Sequence, residues 1–80
     1  MEYNNAIDLI EYDSINNVLH IKSKNDDYVK SFLDVPKRTY LRFVETKSST
    51  QYFQKEIEER YRFVKTLYKD FILCRKQKNT

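Results

Sequence analysis

Ser48–Arg75 reads SSTQYFQKEIEERYRFVKTLYKDFILCR, and the fold of the chain turns on how this stretch is read. Phe53, Ile57, Tyr61, Val64, Tyr68 and Phe71 recur at intervals of four and three, the period of one apolar helix face. No proline or glycine interrupts them. Ser48 with Gln51 three residues on is a capping-box pattern, which satisfies two otherwise unpaired backbone donors. The spacing predicts one helix from about Thr50 to about Arg75. Roughly 25 residues make a rod of about 38 Å, whereas a typical strand spans about 20 Å. The second half of such a helix overhangs its own sheet, and Val64, Leu67, Tyr68, Phe71 and Ile72 lie on the overhang. Each large side chain left wet forfeits roughly 1.5–3 kcal/mol. These five are therefore assigned to an interface, in the first instance a homodimer of antiparallel helices. The competing reading is a break near Lys69-Asp70 that folds the last turns back onto the same domain.

Upstream, Pro36 marks the start of a shorter helix, because a missing N–H costs nothing in the first turn. Tyr40, Leu41, Phe43 and Val44 give it an apolar stripe, and it should stop near Lys47. Before Pro36 the chain reads as strands. Ala6 to Tyr12 is the first, with an alternation that slips between Leu9 and Ile10 and so suggests a bulge. Val18 to Lys22 alternates cleanly, Leu19 and Ile21 against His20 and Lys22. Tyr28 to Val35 sets Tyr28, Lys30 and Phe32 against Val29, Ser31 and Leu33, and the pattern leaves open which face is buried. The chain contains no glycine, so any positive φ falls to Asn or Asp, with Asn16-Asn17 and Asn25-Asp26-Asp27 as the places for it. The fold class is α+β: a three-stranded antiparallel sheet, then a short helix and a long C-terminal helix. Leu19, Ile21, Val35, Tyr40, Phe53, Ile57 and Tyr61 are the expected core.

Taken in order, Ala6-Ile7, Ile10-x-Tyr12-Asp13, Leu19 and Ile21, Asp34-Val35-Pro36, then Ser48, Tyr52-Phe53, Ile57 and Tyr61 resemble the KTSC domain family. That family is named for the C-terminus of some lysyl-tRNA synthetases and also occurs as short stand-alone proteins. The resemblance divides the chain into a KTSC-like domain, 1–62, and a basic extension of the last helix, 63–80. It implies RNA binding, the role suggested for the family. Three positions depart from the family pattern: its central Tyr-x-Tyr falls on Lys30-Ser31-Phe32, the glycine after the last-helix serine is Thr50, and the basic residue after the helix isoleucine is Glu58. The first removes a stacking ring and the third a phosphate contact.

Both changes weaken the transfer of RNA binding from the family, whereas charge layout favours an anionic partner. Up to Asp34 acids outnumber bases seven to three; from Val35 onward bases outnumber acids twelve to five. On the expected helix Arg62, Lys65, Lys69 and Lys76 share a face, and after Arg62 the only acid is Asp70. These four, with Lys30 and Phe32, are the candidate nucleic-acid contacts; Tyr3, Tyr28 and Tyr40 are further rings on which bases could stack. A solvated helix face is the competing account of the cations.

No catalytic site, metal site or cofactor is expected. His20 is the lone histidine, and a zinc site needs three or four ligands. Cys74 is the lone cysteine; it sits near a helix C-terminus, where the dipole disfavours a thiolate. Asp13 is expected to bond the backbone two residues on, as hairpin aspartates do. A cytoplasmic location is expected, since the single thiol fits a reducing compartment and no signal peptide or membrane-spanning run is present. The function read is thus a small non-catalytic module for RNA or a ribonucleoprotein. The alternative is a phage or mobile-element protein that blocks a host protein, such as an RNA-guided nuclease, by protein–protein contact; stand-alone relatives occur in such settings.

Overall fold

A computed structural model describes residues 7–46 and 49–78, with the side chains of 7–46 and 51–73. Ser48, Tyr3 and Ala6, and the side chains of Cys74 and Lys76, lie outside the described residues. Strands β1 (Ile7–Asp13) and β2 (Val18–Ser23) form where alternation predicts them, whereas β3 (Tyr28–Phe32) stops three residues short of the expected Val35, ahead of the positive φ at Asp34. Two polar turns join them. The Asp13 carboxylate accepts the N–H of Ile15 at 3.0 Å and of Asn16 at 3.2 Å, and Asn17 takes φ 58°. Between β2 and β3, Asp26 accepts the Tyr28 N–H at 3.1 Å and donates its own N–H to the Ser23 carbonyl at 3.2 Å. The second positive φ, also 58°, is not in this turn but at Asp34, ahead of Val35-Pro36. The register shift in β1 falls between Ile7 and Leu9, slightly earlier than the sequence suggests.

Pro36 precedes α1 (Lys37–Glu45), and its carbonyl accepts the N–H of Thr39 and of Tyr40. The next helix begins as α2 (Ser49–Tyr52) and continues as a π-helical segment, Phe53–Glu58. There it ends. The Ile57 carbonyl accepts the N–H of both Arg60 and Tyr61, at 3.2 and 3.0 Å, and the chain leaves the helix axis. The single helix expected from Thr50 to Arg75 does not form.

What forms instead is a fourth strand, β4 (Phe63–Leu67), and a last helix, α3 (Tyr68–Lys78). Leu33 donates its N–H to the Arg62 carbonyl at 2.9 Å, and β4 then pairs antiparallel with β3. The sheet order is β1-β2-β3-β4. The physical reason is twofold. Phe, Val and Thr favour a pleated strand over a helix, and β3 offers a free edge of backbone groups that a helix passing by would leave unpaired. The helical period in 61–71 is an accident of this composition.

Tyr68 then donates its N–H to the Asp27 carbonyl at 2.8 Å, and α3 turns back across the outer face of the sheet. Its Phe71 ring lies 5.1 Å from the His20 ring, and Lys22 Nζ sits 5.2 Å from the Tyr68 ring centre. The sheet is thus covered on both sides, which answers the open question about β3. Phe32 is fully buried beneath the inner helices and Val29 is fully buried on the opposite face. Leu19, Ile21, Phe32, Val35, Phe43, Phe53 and Ile57 make up the inner core. Of the expected core, Tyr40 and Tyr61 are half-buried and packed against this cluster rather than enclosed by it. Lys22 is buried on the outer side, its ammonium held by Asp8 at 3.3 Å and by the Ser23 carbonyl at 3.1 Å. Among the described residues no helix is long and apolar enough to cross a membrane.

Candidate nucleic-acid interface

Antiparallel pairing puts directly opposed residues on the same face. The β3–β4 register opposes Phe32 to Phe63, Lys30 to Lys65 and Tyr28 to Leu67. Since Phe32 faces the inner core, all six side chains lie on the inner face, in a row that runs out from beneath the helices. Phe32 closes the buried end, its ring 5.4 Å from Phe53 and 5.2 Å from Phe63. Beyond it the surface opens. Phe63 and Tyr28 are each 40% exposed. Lys30 Nζ lies 5.2 Å from the Phe63 ring centre, and Lys65 Nζ lies 5.3 Å from that of Tyr28. The result is a corner on which rings and cations alternate, with each ammonium over the negative face of a ring.

Lys30 and Lys65 stand opposite one another, an arrangement that repulsion disfavours. Among the described residues only one of the two has an anionic partner: Lys30 Nζ lies 3.0 Å from Glu58 Oε2, at the end of the π-helical segment. Two of the three departures from the KTSC pattern, Lys30 for a tyrosine and Glu58 for a base, therefore touch.

The other sequence-predicted residues are dispersed. Arg62, Lys65 and Lys69 do not share a helix face: Arg62 precedes β4, Lys65 projects from the inner face of β4, and Lys69 lies in the first turn of α3. Arg62 and Lys69 are exposed. Phe32 is enclosed and offers no stacking face, whereas Tyr28 and Phe63 do. Phe63 carried no mark in the sequence because, in a continuous helix, it falls off the apolar face. The overhang that motivated an interface at Val64, Leu67, Tyr68, Phe71 and Ile72 does not exist. Leu67, Phe71 and Ile72 are half-buried within the chain, while Val64 and Tyr68 stay exposed.

Two other groups are structural in their geometry. Tyr12 donates its hydroxyl to the Val35 carbonyl at 2.6 Å and contacts Asn17 Oδ1 at 3.1 Å. Burial raises its pKa above the ordinary tyrosine value, and the neighbouring Asp13 carboxylate adds to the rise. His20 Nδ1 lies 2.7 Å from Ser31 Oγ beneath α3. Among the described residues no three His, Cys, Asp or Glu side chains gather as a metal site.

The sequence model of the KTSC domain matches residues 4–61, and the chain belongs to that family. No curated protein and no solved structure matches it. The match ends at Tyr61, so β1–β3, α1, α2 and the π-helical segment belong to the matched region, and β4 and α3 lie beyond it. Half of the ring-and-cation corner, Phe63 and Lys65, is therefore supplied by the extension.

Proposed function

We propose that the chain is a non-catalytic module that binds single-stranded RNA, alone or within a ribonucleoprotein, on the inner-face corner of β3 and β4. The observation that carries the reading is the opposition of Lys30 and Lys65, each beside a half-exposed ring. A phosphate between the two ammonium groups relieves their repulsion. Base stacking on a ring contributes about 1–3 kcal/mol and tolerates any sequence. The reading calls for no bond-making step: the cations neutralise and the rings stack. Arg62 and Lys69, exposed at the two ends of β4, extend the positive field along the strand.

Fluorescence anisotropy with labelled single-stranded RNA at low salt tests it. The Lys30→Gln/Lys65→Gln variant should bind at least tenfold more weakly. Its log–log salt slope should fall by about 0.7, the value for the one phosphate that the two lysines share. Glu58→Gln should tighten binding, because it removes the anion that competes for Lys30. No complex with any RNA at low salt would retire the proposal, and a host protein would take the place of RNA as the expected partner.

A further inference from the structure

The geometry points to a second binding site, in the cleft between α1 and the π-helical segment, for a terminal phosphate monoester carried on a flat ring system, as in a nucleoside monophosphate. The cleft has a volume of 420 Å³ and shares no lining residue with the β3–β4 corner. Arg38 and Arg42 of α1 form one wall, and Glu56 and Arg60 stand across from them. Arg38 and Arg42 lie one helical turn apart, where like charges repel, and among the described residues neither has an ion-pair partner. Arg60 Nε lies 3.4 Å from Glu56 Oε1. Three arginines against one glutamate leave two net positive charges in the cleft. A phosphate monoester carries about −1.5 to −2 at neutral pH, whereas a phosphodiester inside a strand carries a single charge. The balance therefore suits a terminal phosphate, and guanidinium forks are built to hold one in pairs of hydrogen bonds.

Two tyrosines give the site its second half. Tyr52 and Tyr61 line the cleft and are half-buried. Tyr52 is held in place by Phe43 behind it, ring centres 6.4 Å apart at 26°. The volume falls at the lower end of small-molecule sites, about 300–1,000 Å³, enough for one nucleotide and too little for a run of stacked bases. The wall that carries Glu56 is π-helical. Such segments are rare and are frequent at functional sites.

Amide NMR titration of the full chain with adenosine 5′-monophosphate tests the assignment. The nucleotide should shift the amides of Arg38–Arg42 and Glu56–Tyr61 and saturate at or below millimolar concentration. Adenosine and inorganic phosphate should each bind at least tenfold more weakly. Arg38→Gln/Arg42→Gln, two exposed positions, should keep the dispersed spectrum and lose at least tenfold in nucleotide affinity while retaining whatever RNA affinity the β3–β4 corner provides. Failure of one site is thus distinguishable from failure of the other. Tighter binding of a 5′-phosphorylated RNA than of its 5′-hydroxyl counterpart would identify the source as a chain end; equal binding of the two, with the nucleotide still bound, would identify a free nucleotide. Shifts confined to other residues, or adenosine or inorganic phosphate binding as tightly as the nucleotide, would overturn the proposal.

Discussion

Tyr12 shows how single residues tie the family motifs together. Its hydroxyl holds the Val35 carbonyl at 2.6 Å, the Val35 N–H reaches the Asn17 carbonyl at 2.8 Å, and its ring stacks on Tyr40 at 4.7 Å and 8°. The Tyr-Asp and Asp-Val-Pro motifs are therefore two sides of one joint, which fixes where α1 leaves the sheet. Tyr12→Phe keeps the ring and removes the donor, so it should cost about 1 kcal/mol in denaturant melts. The pH dependence follows from the raised pKa. Above the unfolded-state tyrosine value of about 10, the folded chain holds its phenolic proton more tightly than the unfolded chain does. Stability from this residue is thus present below that pH and is lost as the pH rises through the folded-state value. The advantage of the wild type over Tyr12→Phe should shrink in melts above pH 10. Each motif is legible in the sequence. Their contact across 23 residues is not, because spacing along a chain does not encode which distant groups meet.

At the scale of elements, the decisive event is the end of the π-helical segment. Local pattern in 61–71 satisfies a helix and a strand alike, and a helix has the longer run of matches. The competition is settled by β3, whose free edge accepts Phe63–Leu67, and by its outer face, which α3 covers. Two outcomes check this. Carbon chemical shifts of Phe63–Leu67 should be those of a strand and of Tyr68 onward those of a helix; helical values throughout would restore the continuous rod. Val29→Asp should unfold the chain or cost several kcal/mol, since it places an unpaired carboxylate where Val29 is fully enclosed. In a three-stranded domain with an open outer face the same change would be tolerated.

At the scale of the molecule, the extension past Tyr61 completes the domain instead of projecting from it. It adds the edge strand and roofs the sheet, so the apolar side chains that called for a second copy are largely served by their own chain. Sedimentation equilibrium at tens of micromolar should therefore return a monomer; a stable dimer would show that exposed Val64 and Tyr68 still find a partner. Legible from the residues alone were the α+β class, the first two strands and the start of the third, the start of α1 and most of the inner core. Each of these rests on a local rule: alternation, proline at a helix start, Asn or Asp in place of glycine. The family followed from motif order, which is also local. Tertiary structure alone decided the fourth strand, the burial of both faces of β3, the opposition of Lys30 to Lys65 and the arginine cleft between α1 and the π-helical segment. Those depend on which elements dock, and docking is governed by free backbone edges and uncovered apolar faces, which appear only once the first three strands have assembled.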